Sequence, residues 1–170
     1  MKICAAASGR VRCQAELRFN LPAACVWGQA RDFARFASHD YFHRNLRVEG
    51  GVPRQGARLH LSHQYAGIRT ERIGRILRWR EGEGFAFSDL SRRGARSGFP
   101  HIFRLQIEPV DDRRCLVHLT VRGLWTARWI PLLFRRMWLA WVFAYIVSRT
   151  RNDLVAYQVA RYRRQKVGIA

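Results

Sequence analysis

The sequence has little lysine, few acidic residues and no compact set of metal ligands. Lysine occurs only twice among 31 basic residues, and the 12 acidic residues leave a formal net charge of +19. The four cysteines form no CxxC pair and no Cys/His set with the spacing of a metal site: Cys4, Cys13, Cys25 and Cys115. We therefore expect no metal, no cofactor and no redox motif, and free thiols that suit a reducing compartment.

A long uninterrupted apolar segment is also absent. Residues 1–10 (MKICAAASGR) do not predict a signal peptide, and we expect a flexible tail there, followed by a single domain over 11–165. Residues 129–147 approach the length of a membrane span, but Arg135 and Arg136 interrupt them. Inserting both arginines into the membrane costs about 5–7 kcal/mol, whereas inserting the apolar residues of the segment is favourable by only roughly 3–5 kcal/mol. The sequence predicts a cytoplasmic protein, free or peripheral at a membrane.

The positive charge attracts nucleic acid, anionic lipid or an acidic ligand. The arginines are spread along the chain, and no base-reading motif accompanies them. Candidate phosphate contacts are Arg92, Arg93 and Arg96 with the segment 161–166. The sequence therefore disfavours a nucleic-acid partner. Its hydrophobic residues, 48% of the total, are ample for a core.

Alternating apolar and polar residues indicate strands through most of the chain. Residues 11–19 (VRCQAELRF) alternate cleanly, and Asn20-Leu21-Pro22 then starts a helix. Six strand-like segments follow at about 43–49, 57–66, 69–79, 84–91, 101–109 and 115–125. Short links that carry turn residues predict an antiparallel meander.

A long helix is predicted from about 131 to 163. One stripe runs its full length, and we expect it to pack on the sheet: Ile130, Leu133, Phe134, Met137, Trp141, Ala144, Ser148, Val155, Val159 and Tyr162. The opposite face is also apolar in the first half of the helix, where it carries Leu132, Leu139, Val142, Phe143 and Ile146. An exposed apolar face of this size needs a cover. We expect a homodimer or a peripheral membrane contact through Leu139, Val142, Phe143 and Ile146.

Asp89 and His101 are isolated ionisable residues on the apolar side of two strands. The segments FAFSDLS and HIFRLQIEP flank the link RRGARSG, and a hairpin centred near Ala95 makes the two residues cross-strand neighbours. A buried carboxylate beside an imidazole is either a self-satisfied structural pair or the polar end of a binding cavity. With His63, the pair also supplies candidate catalytic residues for general acid–base chemistry.

Two segments resemble the START-like (SRPBCC) superfamily of polyketide cyclases, dehydrases and lipid-transport proteins. LPAACVWGQARDFARF (21–36) is similar to the first-helix pattern of that group, and GGVPRQGARL (50–59) is similar to its link into the third strand. The resemblance covers residues 11–163. It implies an α+β helix-grip fold, in which a curved antiparallel sheet of about seven strands wraps around the C-terminal helix. It carries over no catalytic residue.

The resemblance also implies a cavity that holds a hydrophobic small molecule or lipid. We expect inward-facing side chains of the strands and the last helix to line it: Leu61, His63, Tyr65, Phe87, Asp89, His101, Phe103 and Trp141. The loop 91–98 is the expected entrance, with arginines that suit an anionic ligand. Two alternatives stay open, namely a cyclase- or dehydratase-like enzyme acting in the same cavity, and an interaction scaffold that binds an anionic membrane or RNA.

Overall fold

A single antiparallel sheet packed against helices makes up the fold in the described residues. The computed structural model describes residues 1–6, 8–38, 43–65, 68–89, 99–126 and 129–167. The strands there are β1 (Lys2–Ala5), β2 (Arg10–Phe19), β3 (His43–Val48), β4 (Arg58–Tyr65), β5 (Ile68–Arg80), β6 (Gly84–Ser88), β7 (His101–Asp111) and β8 (Arg114–Leu124). They lie in the order β1-β2-β8-β7-β6-β5-β4-β3. The helices are α1 (Ala23–Ala30), α2 (Phe33–Ser38) and α3 (Leu132–Val167).

The predicted meander and long final helix are both confirmed. Every neighbouring pair of strands is antiparallel. Helix α3 has 36 residues, which corresponds to about 54 Å at the usual helical rise. The tail expected over residues 1–10 is wrong in part, because Lys2–Ala5 adds the edge strand β1, with Ile3 paired to Cys13.

Helices α1 and α2 cover one end of the sheet's inner face. The helix predicted from Pro22 is interrupted, because α1 ends at Ala30 and α2 begins at Phe33. The interruption places the Phe33 ring among the strands, with ring centroids 4.9 Å from Phe85 and 5.3 Å from Phe87. This aromatic cluster is fully buried and packs the α1/α2 end of the interior.

The orientation of α3 differs from the prediction by about half a turn. Leu139 and Phe143, expected to face a partner, are 2% exposed and belong to the core. Ile146 packs against the same core, and Val142 is partly buried. The expected dimer or membrane contact through these four residues is therefore wrong, since the protein's own sheet covers them.

The stripe predicted to pack on the sheet is the exposed one. Leu133 is 67% exposed, Phe134 66%, Met137 61% and Trp141 58%. The helical pattern could not decide between the faces, because the first half of α3 is apolar on both. Tertiary contacts decide the orientation: the Trp138 ring packs on Trp125 with centroids 5.1 Å apart. None of the helices in the described ranges combines the length and the apolarity needed to cross a membrane.

Candidate ligand-binding site

Asp89 and His101 are neighbours at the end of the β6/β7 hairpin where the connecting loop begins and ends. The register pairs Phe87 with Phe103 and Ser88 with Ile102, which brings Asp89 opposite His101. Asp89 N donates to the His101 carbonyl at 3.1 Å, and His101 N donates to Asp89 Oδ1 at 2.6 Å. The predicted cross-strand contact is confirmed, because the two segments keep the alternation and the register that the sequence indicated.

The Asp89 carboxylate gathers three nitrogen-bearing side chains around one oxygen. Arg72 Nη1 lies 2.9 Å from Asp89 Oδ2, His101 Nδ1 lies 3.3 Å from it, and His63 Nε2 lies 3.7 Å from it. The Asp89 side chain is 1% exposed and that of His63 is 2% exposed. We call these four residues the Asp89 cluster. At its centre is a buried anion, and hydrogen bonds from Arg72 and from the His101 backbone compensate this carboxylate within the protein.

Four adjacent strands supply the cluster. His63 lies on β4, Arg72 on β5, Asp89 directly after β6, and His101 at the start of β7. Gly74 allows β5 and β6 to approach, because a Cβ there would lie 1.9 Å from the Ser88 carbonyl oxygen. The close approach sets Arg72 against Asp89, which is why the cluster forms at this end of the sheet.

The electrostatics of the cluster favour the ionised carboxylate. Burial alone would raise the pKa of Asp89, but the charge and hydrogen bonds of His101, together with the charge of Arg72, hold that pKa well below its usual range. Asp89 is therefore an anion at neutral pH. It orients His101 and accepts hydrogen bonds, and does not itself donate a proton.

Sequence alternation missed Arg72. Ile73 and Leu77 suggest that the odd-numbered positions of β5 face the core, but both side chains are exposed. A register shift between Ile76 and Arg78 reverses the alternation near the end of the strand. Before the shift, the even-numbered side of β5 points inward, and Arg72 lies on it two residues ahead of Gly74.

An aromatic wall leads from His101 to α3. The Phe99 ring stacks on the His101 imidazole with centroids 5.4 Å apart, and it contacts Trp125 at 5.9 Å. Trp125 in turn contacts Trp138 of α3. Gly123 makes room for Phe99, because a Cβ there would lie 2.6 Å from the ring. Flat apolar surface therefore extends from the Asp89 cluster to the start of α3.

His101 is held at one nitrogen and one ring face. Its Nδ1 lies 3.0 Å from the Phe99 carbonyl oxygen and 3.3 Å from Asp89 Oδ2, so a proton on Nδ1 has two acceptors. A carboxylate at one imidazole nitrogen fixes the tautomer and favours proton exchange at the other. The geometry is thus chemically competent for acid–base work at His101 as well as for binding.

The residues expected to line a cavity have different positions. Leu61, Phe87 and Phe103 are buried on the inner face of the sheet. Trp141 is wrong as a lining residue, because it lies on the outer face of α3 and is 58% exposed. The Tyr65 side chain and the loop 91–98 fall outside the described part of the chain.

The site offers no arrangement for a metal in the part of the chain that the structure describes. No group of three or more His, Cys, Asp or Glu side chains there is placed to hold an ion. The Arg72 guanidinium already occupies the position beside Asp89 Oδ2 that a cation would take. Cys13 and Cys115 are buried core residues, and burial with the nearby Cys4 raises the pKa of the Cys13 thiol to about 11.

Solved structures share this fold at low sequence identity. The Zhui aromatase/cyclase from Streptomyces sp. R1128 matches with a TM-score of 0.64 and 11% identity, over 85% of this chain and 93% of that one. A START superfamily protein from Mycobacterium smegmatis matches with a TM-score of 0.63 and 13% identity, over 85% and 97%. Norcoclaurine synthase from Thalictrum flavum, in complex with dopamine and hydroxybenzaldehyde, matches with a TM-score of 0.60 and 9% identity, over 86% and 87%.

No family model and no curated protein matches the sequence. At such low identity the structural similarity establishes the fold. The chain has the START-like helix-grip fold that two segments of its sequence resembled, and its sheet has eight strands in the described residues against about seven predicted.

Proposed function

We propose that the protein binds a hydrophobic small molecule or lipid between the inner face of the sheet and α3. The observation that carries the proposal is the Asp89 cluster, a charged group buried at the edge of an otherwise apolar surface. A buried ion pair is a weak source of stability. A mainly apolar wall with a few convergent polar groups is the usual composition of a ligand site.

We assign the polar end of the ligand to the Asp89 cluster. The apolar body of the ligand is assigned to the apolar side chains beside that cluster. His63 and His101 provide polar contacts, while Leu61, Phe87 and Phe103 provide apolar ones. Tyr65 and the loop 91–98 stay proposals for lining and entrance. Structural neighbours with this fold include a protein solved with two aromatic small molecules, which supports a cavity of this kind.

The test uses N-phenyl-1-naphthylamine, an uncharged apolar dye whose fluorescence rises in apolar surroundings. We expect saturable binding to the wild-type protein and loss of binding in Leu61→Trp, which fills the space beside the sheet. The matched control is Ile73→Trp, which adds the same indole at an exposed position of β5. Thermal unfolding of both variants accompanies the titration.

The two possible structures of the interior give different results. If a cavity lies beside Leu61, the larger side chain is accommodated and the unfolding midpoint changes little. If the interior is solid, overpacking destabilises Leu61→Trp by about 1–3 kcal/mol, and the dye binds neither protein. The second result would refute the proposal.

A second candidate function is catalysis in the same space, of the cyclase or dehydratase kind. The contact of Asp89 with His101 Nδ1 favours it, because that arrangement prepares an imidazole for proton transfer. Native mass spectrometry of purified wild type and His101→Gln tests it. If the protein is an enzyme, His101→Gln should co-purify with unconverted substrate. The mass of that molecule should differ from the mass of any molecule that co-purifies with the wild type. If Asp89→Asn and His101→Gln leave both dye affinity and co-purified mass unchanged, the cluster is structural.

A further inference from the structure

Arg135 is a buried cation at the start of α3. Its backbone N–H donates to the Pro131 carbonyl at 3.1 Å, which places it in the first turn. It precedes Leu139 and Phe143 by one and two turns on the same helical face, so it points toward the sheet. The residue is 5% exposed.

Two of the three guanidinium nitrogens of Arg135 lack a hydrogen bond within the described part of the protein. Its Nε and Nη1 are buried and make no hydrogen bond there. A guanidinium carries a permanent positive charge and five donors, so burying it without an acceptor is costly. The missing partner of a buried guanidinium is an anion with oxygen acceptors.

A second buried donor lies on the adjoining wall. Trp125 Nε1 is buried and also makes no hydrogen bond among the described residues. The Trp125 ring packs on Trp138, which follows Arg135 by one turn of α3. Among the described residues, two side chains with uncompensated N–H donors, Arg135 and Trp125, therefore lie at the α3 end of the aromatic wall, away from the Asp89 cluster.

We propose that Arg135, assisted by Trp125 Nε1, binds the anionic group of the ligand. This inference rests on the proposed function and adds a ligand class to it. The ligand carries a carboxylate, sulfonate or phosphate at Arg135, a flat apolar body on Phe99 and Trp125, and an uncharged polar group at the Asp89 cluster. An anionic group belongs at this end, because the other end of the wall already holds the Asp89 carboxylate.

Two dyes with the same skeleton test the proposal. 1-Anilinonaphthalene-8-sulfonate carries a sulfonate that N-phenyl-1-naphthylamine lacks. We expect Arg135→Met to weaken binding of the sulfonate dye about tenfold or more and to leave the uncharged dye within about twofold. Arg135→Lys should keep part of the preference, because a charge remains without the planar fork.

The neighbouring arginine is the matched control. Arg136 is exposed and reaches the Ala5 carbonyl on the sheet edge at 3.4 Å. Arg136→Met removes the same charge from the same turn, and we expect both dyes to bind it as they bind the wild type. Equal losses of sulfonate-dye binding in Arg135→Met and Arg136→Met would show that the effect comes from general surface charge, and would overturn the proposal.

Stability of the ligand-free protein gives an independent measurement. Replacing an uncompensated buried charge with methionine should keep or raise the midpoint of thermal unfolding. A clear fall in the midpoint would mean that the guanidinium has a partner inside the protein, which would also overturn the proposal. Failure of the uncharged dye to bind the wild type refutes the proposed function, whereas normal uncharged binding with no effect of Arg135→Met refutes only this inference.

A second, independent observation is the exposed apolar face of α3. Leu133, Phe134, Met137 and Trp141 follow one another along consecutive turns, each more than half exposed, and Trp129 just before the helix is 85% exposed. We call these five residues the outer apolar face. Arg136 and Arg149 project on either side of it, and both are exposed.

We infer that the outer apolar face binds an anionic membrane surface. Tryptophan, phenylalanine and leucine next to arginine suit the interface between headgroups and acyl chains. The formal net charge of +19 repels a second copy of the chain and attracts anionic lipid. Charge therefore selects the membrane over a dimer as the cover for this face.

Vesicle flotation tests the inference. We expect the protein to float with phosphatidylcholine vesicles that contain about a third phosphatidylglycerol, and less so with phosphatidylcholine alone or at high salt. Trp141→Glu should abolish most of the binding. Ile73→Glu is the matched control, because it places the same charge at an exposed apolar position on β5.

Two results would overturn this second inference. Equal flotation of Trp141→Glu and Ile73→Glu would show that the face is not the contact. Sedimentation of a dimer that Trp141→Glu dissociates would identify a second copy of the chain as the occupant.

Discussion

Asp89 and Arg135 are both buried charges, but the described residues neutralise only the first of them. The Asp89 carboxylate has Arg72 at 2.9 Å and two imidazoles close by. The Arg135 guanidinium has two nitrogens without a hydrogen bond among the described residues. The described residues thus neutralise the charge at one polar end of the interior and leave the charge at the other end, where we propose that the anionic group of a ligand binds.

The imbalance follows from the composition. With 31 basic and 12 acidic residues, most arginines have no acidic partner. Outside, water and salt screen such a charge at little cost. In the interior, the same shortage of acidic residues leaves Arg135 without an acidic partner among the described residues. The two regions therefore predict opposite responses when their charge is removed.

Removing the Asp89 carboxylate should have the largest effect. Asp89→Ala leaves Arg72 and His101 without their shared acceptor and removes the charge beside His63, and breaking a buried charge pair in this way typically costs about 3–5 kcal/mol. Urea unfolding at neutral pH measures the loss. The matched control is Glu108→Ala, an exposed carboxylate 3.2 Å from His118 Nε2, where we expect less than about 1 kcal/mol.

If Asp89→Ala were as mild as its surface control, water would reach the cluster and the contrast with Arg135 would disappear. Asp89→Asn refines the comparison, because it keeps the shape of the side chain and removes the charge. Asn should lose less stability than Ala, since its carbonyl oxygen still accepts one of the hydrogen bonds.

Two leucines on opposite faces of α3 test the orientation that puts Arg135 inside. Leu139 is 2% exposed and Leu133 is 67% exposed. Leu139→Ala should cost about 3 kcal/mol through lost burial and the cavity it leaves. Leu133→Ala should change stability by less than about 0.5 kcal/mol. The reverse order in urea unfolding would mean that α3 packs with its other face, as the sequence alone suggested.

The β6/β7 hairpin could be predicted from the sequence, whereas the position of Arg72 and the orientation of α3 could not. Residues 85–91 and 101–109 alternate so regularly that the hairpin, its register and the contact of Asp89 with His101 could be predicted. The inward orientation of Arg72 could not be predicted, because a register shift within β5 reverses the alternation of apolar and polar residues along that strand. The face of α3 could not either, because apolar residues surround its first half and only contacts such as Trp138 with Trp125 choose between the faces.

The smallest effect is expected from pH, and it separates the two buried charges by their chemistry. The Asp89 pKa is lower in the folded protein than in the unfolded chain, so its stabilisation is complete above pH of about 5 and is lost progressively as the pH falls through the unfolded value of about 4 and below. Arginine does not titrate in this range. The stability of the wild type should therefore approach that of Asp89→Asn between pH 5 and 3.5, with a change of less than about 1 kcal/mol over that interval. Arg135→Met should follow the wild-type slope throughout. A gap between wild type and Asp89→Asn that stayed constant below pH 4 would mean that the carboxylate titrates at its ordinary pKa in both states, and that the cluster does not hold it as an anion.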